Sequence, residues 1–206
     1  MVAIDRKAHW ESVHARKGDA NVSWYQREPG LSLELIRSVA SGGRGRIIDV
    51  GGGASLLVDH LLELPFNKVA VLDISETALG LARSRLGERA GRGDWIVADV
   101  ATAHAIGTFD LWHDRAVFHF LTDPADRRNY VELARQTVPE GGHLIIAAFA
   151  NDGPKRCSDL DVCRYNAETL GAELGEDFLL AREARETHTT PWGSPQSFFY
   201  GVFRRQ

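Results

Sequence analysis

The chain has 206 residues, 44% of them hydrophobic and 25% charged, with a formal net charge of −4. That supplies one good core, so a single domain over residues 1–206 is expected. Acidic and basic residues are mixed with no long basic run, which disfavours nucleic acid as a partner. No apolar run is long enough to cross a bilayer, which excludes a membrane-spanning role.

Residues 1–44 carry two helix-like pieces, around Trp10 and over 31–41, joined by a loop at Ser23-Trp24-Tyr25-Gln26. The stretch MVAIDRKAHWES lacks the apolar core of a secretory signal, so a cytoplasmic protein is expected. From residue 45 onward, strand-like and helix-like stretches alternate. Short apolar strands are expected at 46–50, 68–73, 95–99, 109–113 and 144–150, and helices at 55–64, 75–86 and 126–138. Ser75 with Glu76 suits a helix start, Gly87 a stop, and Pro139-Glu140-Gly141-Gly142 a turn. Such alternation implies a parallel sheet with helical crossovers. The tail offers a helix at 168–174 and two strands at 178–183 and 197–204, joined by a Gly/Pro/Thr/His-rich loop at 187–196. A late pair with a direct connection suggests an antiparallel hairpin added to the sheet.

The sharpest motif is RIIDVGGGAS at 46–55, a strand running into three glycines and then a helix. This arrangement lets a backbone close around a nucleotide-like ligand. Gly51 and Gly53 allow close approach because they carry no Cβ. The third glycine of a dinucleotide fingerprint falls on Leu56, and Asp49 sits where a pyrophosphate would be repelled. A carboxylate there suits an ammonium group instead. Asp73 and Asp99 end the next two strands, and Asp110 opens the fourth. Carboxylates at successive strand ends collect where parallel sheets bind ligands.

These acids, the PEGG turn and the late hairpin resemble the class I S-adenosylmethionine-dependent methyltransferases, over roughly residues 44–204. WESVHARK and SWYQ resemble the lid that small members of that family fold over the cofactor. The tail HTTPWGSPQSFFY is similar to that of small bacterial members. The resemblance implies a Rossmann-like, seven-stranded, mostly parallel sheet with helices on both faces and a C-terminal antiparallel hairpin. It divides the chain into a lid at 1–44 and a core at 45–206. It also implies roles for named residues. Asp49, Gly51 and Gly53 would hold the methionine part of S-adenosylmethionine. Asp73 would accept the ribose hydroxyls, with Ile74 on the adenine. Asp99 and Val100 would face the adenine amino group, and Asp114 the methionine or the acceptor. Two departures are Ser55, where a further glycine is common, and His14, where the lid commonly has a tyrosine.

Trp10 and Trp24 suit either a core or a lid whose aromatic face attracts a sulfonium, and Trp24 is the better lid candidate because its surroundings read as loop. His113 and His119 flank Asp114 and suit structural roles, although His119 stands near enough to the strand end to serve as a base. His188 and Gln196 in the late loop are further acceptor-facing candidates. Cys157 and Cys163 are too few for a disulfide framework and read as free thiols. Their spacing, without a paired His or Cys, gives no metal site.

Methyl transfer from a sulfonium is an in-line displacement, so alignment matters more than acid–base groups. A small-molecule acceptor is the first reading. The alternatives are a protein lysine methyltransferase, a thiol or metalloid methyltransferase, an NAD-dependent oxidoreductase and a non-catalytic binding module. The oligomeric expectation is a monomer or homodimer.

Overall fold

A computed structural model describes residues 5–18, 20–40 and 44–206. The first four residues, and Ser41 at the end of the second expected helix, lie outside the described residues. Seven strands form one sheet: β1 (Arg46–Val50), β2 (Lys68–Asp73), β3 (Gly93–Val97), β4 (Leu111–Arg115), β5 (His143–Phe149), β8 (Phe178–Thr189) and β9 (Pro195–Arg205). Their order is β3-β2-β1-β4-β5-β9-β8. The first five are parallel, and β9 runs antiparallel between β5 and β8. Two residue pairs, β6 (Arg156–Cys157) and β7 (Leu160–Asp161), make a separate small hairpin.

The apolar strands of the middle are apolar on both sides because both faces are covered. Ile48, Val50, Ala70 and Leu72 pack with Tyr130, Leu133 and Ala134 of α5 (Pro124–Thr137) and with Leu170 and Leu174 of α6 (Ala167–Leu174). Ile47, Val69 and Val71 turn the other way. They meet Leu33 and Ile36 of α2 (Gly30–Val39), Leu57 and Leu61 of α3 (Leu57–Leu61), and Leu79 and Ala82 of α4 (Glu76–Leu86). The period-two alternation of a strand thus decides which helix layer each residue meets.

Several boundaries differ from the expected ones for physical reasons. α3 is half the expected length, since the chain turns after Leu61 ahead of Pro65, whose ring disfavours helix in the preceding residue. α5 begins earlier, with Asp123 accepting from Ala125 N at 2.8 Å and Pro124 at the first helical position. β4 lies two residues later than expected, because the carboxylate of Asp110 accepts Arg46 N at 2.8 Å before pairing begins. The expected loop 187–196 is half strand. Thr187, His188 and Thr189 pair with Ser197, Gln196 and Pro195, which leaves only a tight turn at 190–194.

The N-terminal helix α1 (Arg6–Lys17) is fastened across the carboxyl end of the sheet. The Glu11 carboxylate accepts Glu76 N at 2.7 Å, Thr77 N at 3.2 Å and the Ser75 hydroxyl at 3.1 Å, satisfying donors at the start of α4. Burial pushes its carboxyl up, but the bonds from Thr77, Glu76 and Ser75 outweigh that and hold it below its ordinary value. Arg6 reaches Asp99 at 3.0 Å and Asp126 at 2.5 Å. Glu11→Ala is expected to cost about 1 kcal/mol, the usual scale of a lost cap. Hydrogen exchange should then rise in α1 while the central strands keep their protection; unchanged exchange in α1 would show that the latch contributes nothing.

Among the described residues no helix is long and apolar enough to cross a membrane.

Candidate functional site

The carboxyl ends of β1, β2 and β3 and the N-terminal region between Arg6 and Ser32 enclose one open cavity. Gly51, Gly53, Asp49, Asp73, Ile74, Asp99, Val100 and Trp24 all line it. The strand-to-helix turn is shaped by what its glycines leave out. Gly51 and Gly53 have positive φ, 68° and 43°. A Cβ on Gly53 would stand 2.7 Å from Asp73 Oδ2, and one on Gly52 would stand 2.5 Å from Asp49 Oδ2. The N–H groups of Gly51 and Gly52 both point to the Leu72 carbonyl, at 2.7 and 3.3 Å. These glycines therefore supply room rather than donors. Arg85 of α4 secures the turn through the carbonyls of Ala54 and Ser55, at 2.9 and 2.8 Å.

The three acids differ. Asp49 is 2% exposed; its Oδ1 meets His113 Nδ1 at 2.7 Å, and its buried Oδ2 has no partner. Asp73 accepts Ser75 N on Oδ1 at 2.8 Å. Burial above all, with Asp49 and Glu11 nearby, pushes its carboxyl up to about 7 against the bond from Ser75. Asp99 falls two residues past the end of β3, so its carboxylate turns back to accept Ala101 N at 2.9 Å and to pair with Arg6.

Around the other end of the cavity stand Trp10, His14, Trp24, Tyr25, Phe120 and Arg115. Trp10 meets Trp24 and Phe120 edge-on, with ring centres 5.7 and 4.9 Å apart. Burial lowers the pKa of His14, which keeps it a neutral ring. Arg115, which the sequence did not single out, donates to Tyr200 Oη at 2.9 Å and to the Trp24 carbonyl at 3.1 Å, and it pairs with Glu186 at 3.5 Å. Its only sequence mark is its place two residues after His113 on the same strand face.

Four expected site residues stand elsewhere. Asp114 is fully buried on the α5 side of the sheet, where it accepts Val117 N, Phe118 N and Tyr130 Oη at 2.9, 3.1 and 2.7 Å. Burial pushes its carboxyl up to about 6, against the bond from Tyr130. It is a structural clamp rather than a cavity residue, because β4 includes it and alternation turns it away from His113. His119 is also fully buried; its Nδ1 accepts Phe149 N at 3.3 Å, and burial, with Arg115 nearby, pushes its pKa down to about 3. His188 lies within β8 and donates from Nε2 to the Ser23 carbonyl at 2.7 Å. It ties the hairpin to the lid loop and is not among the cavity residues. Its neighbour Gln196 is 9% exposed and likewise outside the cavity lining.

Cys157 is buried with Sγ 3.6 Å from Ser23 Oγ, whereas Cys163 sits 3.9 Å from Arg127 Nη1. Among the described residues no group of three or more His, Cys, Asp and Glu could hold a metal ion.

A family model described as a methyltransferase domain matches residues 48–144, which run from within β1 to the start of β5. The matched stretch, a little under half of the chain, is similar to a methyltransferase domain. The site suits S-adenosylmethionine. The orphaned oxygen of Asp49 matches an ammonium, and glycine-cleared space adjoins Asp73. A dinucleotide would instead bring its diphosphate against Asp49, which counts against the NAD reading.

The chain is 34% identical over 116 residues to a Synechococcus protein, covering 54% of this chain but only 27% of that protein. It thus spans about a quarter of the length of that relative. It is 27% identical over 183 residues to nodulation protein S of Sinorhizobium fredii, covering 82% of each. Among solved structures, N-methyltransferase NodS of Bradyrhizobium japonicum in complex with S-adenosylhomocysteine matches with a TM-score of 0.75 at 19% identity, covering 95% of this chain and 97% of that one.

Proposed function

We propose that this protein transfers the methyl group of S-adenosylmethionine to a small-molecule acceptor. The observation that carries this reading is one cavity with three carboxylates at strand ends on one side and the aromatic residues Trp10, Trp24 and Phe120 on the other. In this reading Asp49 takes the ammonium and Asp73 the ribose hydroxyls. Ile74 and Val100 enclose the adenine, with Asp99 at its amino group. Trp24 lies on the sulfonium side. When bound, the cofactor supplies a methyl carbon already activated for in-line displacement. The protein's own task is to hold that carbon and the acceptor in line and to keep water out, and alignment alone is worth on the order of 7–11 kcal/mol. Trp10, Trp24 and Phe120 would exclude water there. The small-molecule reading is supported by the printed name of one relative, a ubiquinone biosynthesis O-methyltransferase of Aromatoleum aromaticum, of which the chain spans 60%.

The test is a screen with methyl-labelled cofactor against small hydroxyl, amine, carboxyl and thiol acceptors, metalloids and cell protein extract. Label in small molecules is the expected result. Label confined to protein would replace this reading with a protein methyltransferase.

A further inference from the structure

Asp49, His113 and Ser32 form a chain of hydrogen bonds at the wall of the cavity. Parallel register pairs Asp49 of β1 with His113 of β4. Nδ1 of His113 meets Asp49 Oδ1 at 2.7 Å, and Nε2 meets Ser32 Oγ of α2 at 3.0 Å. All three residues are at most 2% exposed, yet all three line the cavity. A carboxylate can only accept, so Nδ1 carries a proton; in a neutral ring Nε2 is then the acceptor and the Ser32 hydroxyl donates to it.

This arrangement does two things to Asp49. It fixes Oδ1, and it leaves Oδ2 as a buried oxygen without a partner, a cost that a protein meets only where a donor arrives. Gly52 keeps the space beside Oδ2 clear.

We propose that His113 is a positioning residue that holds Asp49 with its free oxygen turned to the cofactor's ammonium, and that Ser32 sets the tautomer of His113. This rests on the reading of Asp49 as the ammonium partner. It also makes the seating of α2 and the readiness of Asp49 one network, since Ser32 belongs to the N-terminal region. A histidine that orients an acid in this way parallels the outer partners that orient metal ligands.

Titration calorimetry with two ligands tests it. S-adenosylhomocysteine carries the ammonium, whereas 5′-methylthioadenosine keeps the nucleoside and sulfur but lacks the amino-acid tail. His113→Phe should weaken S-adenosylhomocysteine on the order of tenfold, the scale of one charge-assisted bond, and leave 5′-methylthioadenosine within about twofold. His113→Asn, whose amide can still donate to Asp49, should recover part of the loss. Ser32→Ala should show a smaller loss of the same selectivity. An equal loss of both ligands, or no loss of either, overturns the positioning role. Should His113→Phe fail to fold, the same two ligands are measured on His113→Asn and Ser32→Ala, and an unselective Ser32→Ala overturns it. Asp49→Asn separates the two claims. If it weakens both ligands alike, the ammonium reading fails; if it is selective while His113→Phe is not, only the positioning role fails.

Discussion

Asp73→Asn is expected to weaken S-adenosylhomocysteine roughly 30- to 100-fold and, at the same time, to stabilise the ligand-free protein. The first effect follows from the proposed role of Asp73: a carboxylate that would accept from two ribose hydroxyls is replaced by a neutral amide with a single acceptor oxygen, and hydrogen bonds to a charged group contribute about 1.5–3 kcal/mol each. The second follows from the burial that pushes the Asp73 carboxyl up to about 7 from 3.8. Between those values the folded protein keeps a proton that the unfolded chain has released. Stability therefore falls as pH rises through that window, and the full cost is present above it. Asparagine keeps an oxygen for Ser75 N and carries no charge, so at pH 8 the variant should gain roughly 2–4 kcal/mol against unfolding. Chemical denaturation of the ligand-free protein at pH 8 and pH 4 measures this. A gain of equal size at both values would show that the buried charge is not its source. The same group predicts that affinity for S-adenosylhomocysteine is flat above about pH 7 and falls about tenfold per unit below it, because the ribose needs the ionised form. Asp73→Asn should flatten that profile.

Gly53→Ala should be as damaging to the cofactor site, and by a different route. The residue has φ of 43° and faces Asp73 Oδ2 at 2.7 Å and Ala78 Cβ at 3.3 Å from where a methyl would stand. Neither neighbour has room to withdraw, since Asp73 is held by Ser75 and Ala78 lies within α4. We expect a stability loss of about 1–3 kcal/mol from the backbone and the contact, and a loss of cofactor affinity beyond tenfold as Asp73 is displaced. Gly80→Ala provides the contrast. It lies in the same helix as Ala78, nothing stands within 4 Å of its added Cβ, and removing a helical glycine should stabilise by about 0.5–1 kcal/mol. Thermal unfolding and calorimetry on the pair separate the two outcomes; similar behaviour would refute the steric account of Gly53.

Much of the cofactor side was legible because its determinants are local. A strand that ends on an acid and runs into glycines marks a place where backbone and ligand meet, and Asp49, Asp73 and Asp99 follow the ends of consecutive strands. The aromatic side of the cavity was partly legible in Trp24, since an aromatic residue in a polar loop needs a reason. Glu11 and Arg6, which fasten α1 to α4 and to Asp99, carry no local mark. Each is an ordinary charged residue of an amphipathic helix until the chain brings its partner from 60 or more positions away.

The sequence by itself determined the class of fold, the strand order's local units and the kind of ligand, since periodicity, turn chemistry and charge at strand ends act over a few residues. Only the tertiary structure decided which face each β4 residue takes. A shift of the strand by two positions encloses Asp114, and alternation then sends it to Tyr130 while His113 and Arg115 turn to the cavity. Pairing of β1 with β4 brought His113 to Asp49, and packing of α2 brought Ser32 to His113. Those contacts join residues 64 and 81 positions apart. They depend on register and on the packing of whole elements, which no short stretch of the chain contains.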